Sequence, residues 1–202
     1  MQHSKFLAAA LCVAVHGSAL SADTNWEGFY MGLSLDAART NASIAGSTSH
    51  SRTARSASVG AYAGFNRSAS NGLLWGAEIG LSSAENLPNL SGDGLGTSEF
   101  SGKFLLNPRL RAGITTGNLF LYGTAGIGIS DAVLRPAGST GSDLAIGVSY
   151  GIGAEMKLGN NWSTRLDISR MDLGRSNQSF NAQSRNTNVK VDKITIGLTK
   201  SF

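Results

Sequence analysis

From residue 26 onward the chain alternates apolar side chains with polar or small ones, and the pattern is clearest at its end. Ile194, Ile196, Leu198 and Phe202 stand on one side of residues 193–202, with Thr195, Gly197, Thr199 and Ser201 between them. A period of two marks a β-strand, whose successive side chains point to opposite faces. Residues 26–36 set Phe29, Met31, Leu33 and Leu35 against Tyr30, Gly32, Ser34 and Asp36. Residues 59–65 and 73–81 follow, the latter with Glu78 opposite Trp75, Ala77 and Ile79. Residues 100–114 carry Phe104, Leu106, Leu110 and Ile114 on one face and Lys103, Asn107, Arg109 and Arg111 on the other. Pro108 interrupts that segment, and because proline cannot donate to a ladder a bulge or local break is expected there. Residues 119–129, 143–158 and 162–169 complete a set of eight strands.

The connections alternate in length. Residues 39–57, 82–98, 131–141 and 172–187 read as long polar loops, whereas 66–72, 115–118 and 159–161 read as tight turns. In an antiparallel array all the short connections then fall at one end. Two architectures remain at this point. One is a soluble sandwich or lipocalin-type fold whose apolar face lines a core. The other is an all-β, eight-stranded antiparallel transmembrane β-barrel with short periplasmic turns and four long extracellular loops.

The polar face decides between them. It is built from Gly, Ser, Thr and Tyr together with Glu78, Lys103, Arg109, Arg111, Glu155, Arg165 and Asp167. Inside a narrow barrel these opposite charges can neutralise one another, whereas a lone buried charge is costly. Abundant glycine on the same face leaves room for large neighbours such as Tyr62 and Tyr122. The membrane barrel is therefore the expected fold, and Trp26, Trp75 and Trp162, near the short-turn ends, are its expected interfacial aromatics.

Composition agrees. The 202 residues include 26 Gly and 3 Pro, and none of the apolar runs is long enough for a membrane-crossing helix. Lys5, an apolar run over residues 6–15 and small residues up to Ala22 read as a secretory signal peptide, residues 1–22. Residues 23–202 then form one membrane β-barrel domain. Cys12, the single cysteine, falls within the leader, so the mature chain offers neither a disulfide frame nor a thiolate metal site. The net charge of +4 comes without a basic stretch interleaved with aromatics, so no nucleic-acid partner is expected.

The opening Trp26-Glu27-Gly28-Phe29-Tyr30-Met31-Gly32, the leader and the terminal Phe202 together resemble the outer-membrane β-barrel protein family. This is the group of OmpA-like and opacity-type surface barrels of Gram-negative bacteria, and the resemblance covers essentially the whole mature chain. It implies a place in the cell outer membrane, among its lipids and lipopolysaccharide. It also implies that the barrel-assembly machinery reads the last strand through Ile194, Ile196, Leu198 and Phe202. Lys200 departs from the family pattern, which has an apolar or aromatic residue there; a lysine near the interface can snorkel.

Candidate chemistry is sparse. Outside the leader His50 is the only histidine; it lies beside Ser49 and Ser51 in an expected loop and reads as solvent-exposed rather than catalytic. Glu78 and Glu155 could form an acid–base pair, but ion pairing with Arg109, Arg111 and Arg165 accounts for them better. The glycines of residues 123–128 have the wrong spacing for a nucleotide loop and no helix after them. No cofactor, metal or enzymatic activity is expected. The favoured reading is a structural and surface-interaction protein. Its loops, through Arg39, Arg52 and Arg55, contact lipopolysaccharide or a host or surface ligand. Two alternatives stay open: a small gated, porin-like channel, and a lipid A-modifying enzyme, which the single histidine disfavours.

Overall fold

The computed structural model describes residues 25–45, 50–69, 72–83, 90–91, 97–101, 104–130, 133–135, 145–180 and 183–202. The leader, its cleavage site and Lys103 lie outside the described residues. Eight strands form one closed barrel: β1 (Gly28–Ala45), β2 (His50–Ser68), β3 (Leu73–Ser83), β6 (Phe104–Thr116), β7 (Leu119–Ser130), β9 (Ala145–Gly159), β10 (Trp162–Phe180) and β11 (Gln183–Ser201). Three short strands, β4 (Leu90–Ser91), β5 (Thr97–Ser101) and β8 (Val133–Arg135), make a separate small sheet. Each barrel strand pairs antiparallel with its neighbours, in the order β1-β11-β10-β9-β7-β6-β3-β2. The last strand meets the first in register from Tyr30↔Ser201 to Ala45↔Asn186. Phe202 N–H then donates to the Phe29 carbonyl at 2.9 Å.

The eight expected strands are therefore present, as is the asymmetry of the connections. The short turns behave as their sequences require. Thr116↔Leu119 leaves Gly117 and Asn118 as a two-residue turn, with Gly117 at φ 55°. Asn160 and Asn161 both take positive φ, 49° and 62°, the conformation of the tight hairpin turn that matches strand twist.

All four expected long loops contain strand: residues 82–98 hold β4 and the start of β5, and residues 131–141 hold β8. Residues 39–57 and 172–187 continue mostly as paired strand, with Arg39 opposite Arg55 and Asp172 opposite Lys190. Alternation fades there because polar residues fill both parities of the sequence, but backbone pairing does not depend on that alternation. The segment beginning at residue 100 is also divided, since Phe100 belongs to β5, which pairs with β8, and the barrel strand starts at Phe104.

Pro108 produces the expected local break on one side only. Pairing with β3 runs through Ile79↔Pro108 without interruption, while pairing with β7 lapses between Leu106↔Ile129 and Arg109↔Gly126 and resumes in the same register. The Asn107 side-chain amide donates to the Ile127 carbonyl at 2.9 Å, supplying the donor that proline lacks.

The two faces sort cleanly. Phe29, Leu33, Leu35, Val59, Leu110, Val148, Ile152 and Ile196 point outward and are exposed, while Tyr30, Tyr62, Tyr122, Ser163 and Thr199 point inward and are buried. Glycine makes the inward face roomy where tyrosine needs it. A Cβ on Gly32 would overlap the Tyr62 ring and the Leu198 carbonyl, one on Gly64 the Tyr30 ring, and one on Gly153 the Tyr122 ring. A closed barrel of this kind should run as a compact band in detergent until boiled and then shift. Gly32→Val should deplete the unheated compact band, since overpacking costs about 1–3 kcal/mol. Gly123→Ala, which faces outward with its nearest obstacle at 3.9 Å, should leave it unchanged.

Candidate functional site

Inward positions of seven strands converge on one buried polar network. Glu78 on β3 is its centre. Its carboxylate accepts from Arg165 Nη1 at 2.5 Å and Nη2 at 3.2 Å, from Arg109 Nε at 2.9 Å, and from the Tyr30 hydroxyl at 2.9 Å. Arg111 Nη1 stands 3.7 Å from the same carboxylate and donates to Glu155 Oε2 at 3.0 Å. Glu155 also accepts from the Ser163 hydroxyl, and Arg111 Nε donates to Asn66 Oδ1 at 2.9 Å. Asp167 accepts from the Tyr122 hydroxyl at 2.9 Å and faces Arg165 Nε at 3.2 Å, a contact that is coulombic without hydrogen-bond alignment.

Three carboxylates thus meet three guanidiniums. All six side chains are at most 8% exposed in the ion pairs they form. Such groups are tolerated away from water only when paired and hydrogen-bonded on their remaining edges. Aromatic faces supply the rest of the shell: the Arg165 guanidinium lies 3.3 Å from the Tyr62 ring centroid and that of Arg111 lies 4.4 Å from Tyr30.

Apolar clusters bracket the network. Toward the short turns, Trp26 packs with Leu74, Phe120 and Tyr122, and its indole N–H donates to the Gly117 carbonyl at 3.3 Å. Toward the long connections, Met171, Leu173 and Val191 pack together. Between them a smaller pair sits: Asp36 accepts from Thr195 at 2.6 Å, from Ser82 at 2.7 Å, and from Lys193 at 3.5 Å.

Of the predicted lumen charges, Glu78, Arg109, Arg111, Glu155, Arg165 and Asp167 come together, and Lys103 falls outside the described residues. Asp36 and Lys193 were missed; both sit at inward parity in their strands, which was the available signal. Trp75 and Trp162 stand outward at the short-turn end, about half exposed. Trp26 is a correction. It is 7% exposed and turned into the barrel, because it precedes β1 and folds under the wall instead of standing on it. Ile194, Ile196, Leu198 and Phe202 all face outward. Lys200 turns toward the short-turn end, where its ammonium donates to the Asn160 carbonyl at 2.9 Å and lies 5.3 Å from the Trp162 ring. Arg39 and Arg55 sit on strands, and the Arg52 side chain lies outside the described residues.

A charge-filled lumen inside a wall greasy on its outer side is the arrangement of a barrel in lipid, and the comparisons decide its family. The model of the outer membrane protein beta-barrel domain matches residues 6–202. The chain belongs to this family of outer-membrane barrels. It is 26% identical over 180 residues to the 22 kDa outer membrane protein of Rhizobium leguminosarum bv. viciae, covering 88% of this chain and 79% of that one. It is 27% identical over 158 residues to the 31 kDa outer-membrane immunogenic protein of Brucella melitensis, a match spanning 71% of this chain and 65% of that protein's length. Among solved structures, the outer membrane protein OprG of Pseudomonas aeruginosa has the same fold, with a TM-score of 0.55 and 15% identity over 87% of this chain and 96% of that one. The protein is thus an outer-membrane β-barrel.

Removing the central acid should expose how strongly the lumen charges depend on one another. Glu78→Gln leaves three guanidiniums facing two carboxylates and should cost about 3–5 kcal/mol, read as a lower urea midpoint for loss of the compact band. Adding Arg165→Met restores the balance, and the double variant should recover part of that loss. Additive losses would show that the pairs act independently.

Proposed function

We propose that this protein is a non-enzymatic surface barrel whose wall anchors it and whose extracellular connections contact lipopolysaccharide or external ligands. The observation that carries the reading is the position of Glu78, bonded to Arg109 and Arg165 and 3.7 Å from Arg111, in the middle of the lumen. An eight-stranded wall encloses a space that side chains can fill, and here the filling is mutually bonded and bracketed by apolar clusters. A solute crossing the lumen would have to part several buried ion pairs, which favours work done outside the barrel. The strands reaching beyond the apolar band and the small sheet of β4, β5 and β8 supply the surface for it. The names of the relatives, an outer membrane protein and an immunogenic outer-membrane protein, fit such a role.

Biogenesis is part of the same reading. β11 closes the wall against β1 and presents Ile194, Ile196, Leu198 and Phe202 outward, the terminal pattern that the barrel-assembly machinery would read.

Planar bilayer recording tests the main claim. The purified barrel should give no discrete conductance steps, and Glu78→Gln should leave the record silent or add only irregular leak. Regular steps in the wild type whose size changes in Glu78→Gln would replace this reading with that of a gated channel.

A further inference from the structure

The outer wall carries one feature that anchoring does not need. Cross-strand pairing aligns Arg55 with Arg39, Arg39 with Asp192, Asp192 with Arg170, and Arg170 with Tyr150. These five residues form a single row across β2, β1, β11, β10 and β9, at outward parity in each strand. The next row toward the periplasm is Ala57, Ala37, Ile194, Ile168 and Ile152, entirely apolar. The next row outward begins Thr53, Asn41, Lys190, Asp172 and is polar. The arginines therefore stand along the upper margin of the apolar wall; strand tilt makes the row descend from Arg55 toward Tyr150, and it runs on through Ala125, Leu110 and Ala77 to Phe65, far below Arg55 on the same strand. Among the described residues, the outward positions of β3, β6, β7 and β9 bear no charged side chain, so the row marks one side of the barrel.

The row is not balanced internally. Asp192 pairs with Arg170 at 2.5 Å, and both side chains remain exposed, at 37% and 50%. Arg39 and Arg55 are direct cross-strand neighbours of like charge, an arrangement that is destabilising unless an anion joins it. Arg39 Nε is buried without a hydrogen-bond partner. Beside these cations a hollow of about 880 Å³ opens on the wall, lined by Arg39, Arg55, Tyr150, Ile168, Arg170 and Ile194 among others. Guanidinium heads above isoleucine suit a ligand with phosphate on one end and acyl chain on the other.

We infer that this row is a binding site for the phosphorylated, acylated headgroup of lipid A in the outer leaflet. The inference rests on the proposed lipopolysaccharide contact and moves it from the loops to the wall. The Arg39–Arg55 pair would hold one phosphate and Arg170 a second. The distance from Arg55 to Arg170 is three strand spacings, roughly 14 Å, so one diphosphorylated headgroup can engage both. Acyl chains would then run down over Ile194, Ile168 and Ile152.

Binding of diphosphoryl lipid A to the folded protein in zwitterionic detergent, followed by native mass spectrometry, tests this. Each variant is first checked for the heat-shifted band. Arg39→Ala/Arg55→Ala should weaken binding about tenfold or more, the loss expected for charge-assisted hydrogen bonds. Arg170→Ala should weaken it severalfold, and dephosphorylated lipid A should bind wild type no better than the double variant. Arg67→Ala, at the periplasmic end, should bind like wild type; an equal loss there would reduce the effect to net charge and overturn the site. A chain in which a short turn replaces residues 42–52 separates the two claims. Loss of binding there, with the double arginine variant unaffected, would return the contact to the loops and overturn the wall site alone. No phosphate-dependent binding by the wild type would remove both.

Discussion

In hydrocarbon no water is available to satisfy an exposed N–H or carbonyl, so a sheet can cross a membrane only if it has no edge. The seam between β1 and β11 is where this chain meets that demand. Its two members are the first and last strands, and they pair over the whole length of β1 beyond Phe29. β11 completes both its own pairing, against β10, and that of β1. The terminal residue takes part directly, through the bond from Phe202 N–H to the Phe29 carbonyl. Even the proline in β6 obeys the rule, since the Asn107 amide serves the carbonyl that Pro108 would otherwise strand.

Closing eight strands creates an interior too narrow to stay simply wet, and the inward side chains have to fit one another. The sequence answers with small residues under large ones. Tyr62, Tyr30 and Tyr122 lie across Gly32, Gly64 and Gly153, and their hydroxyls reach Thr199, Glu78 and Asp167. The arginines stack on the same rings. Packing and charge balance are therefore one problem with one solution, and the same glycines that seat the tyrosines bring the carboxylates within reach. A barrel that needed only to be filled could have used apolar side chains. The ionic filling demands matched numbers, and removal of any member leaves an uncompensated charge.

Strand count, closure and the lumen charges were legible because each depends on parity, and parity is written residue by residue. Glu78, Arg109, Arg111, Glu155, Arg165 and Asp167 share the face opposite the apolar side chains, so a closed sheet had to bring them together. The pattern was silent where both faces are polar. Arg39, Arg55 and Asp172 stand in strands, yet no contrast between faces announces it. Trp26 misled for a different reason. It belongs to the entry of the chain, before β1 fixes which side a residue takes, and its indole finds Phe120 and the Gly117 carbonyl inside. Asp36 and Lys193 carried the right parity, and their contact joins strands 157 residues apart in the chain.

The placement of charge on the outer wall follows from depth. A charged side chain facing lipid costs about 2–4 kcal/mol at the bilayer midplane and about 0–1 kcal/mol near the interfaces. Rows through Leu35, Ile196 and Leu166, or through Leu33, Leu198 and Thr164, accordingly hold no charge. Among the described residues, the outward charges at the upper margin of the wall stand on β2, β1, β11 and β10. Depth explains why arginine is tolerated there; it does not explain why three of them gather against a single aspartate. Three guanidiniums beside one carboxylate leave a surplus of positive charge for an anion to meet. In the outer leaflet the abundant anion at that height is the phosphate of lipid A, directly above the acyl chains that the isoleucines would touch.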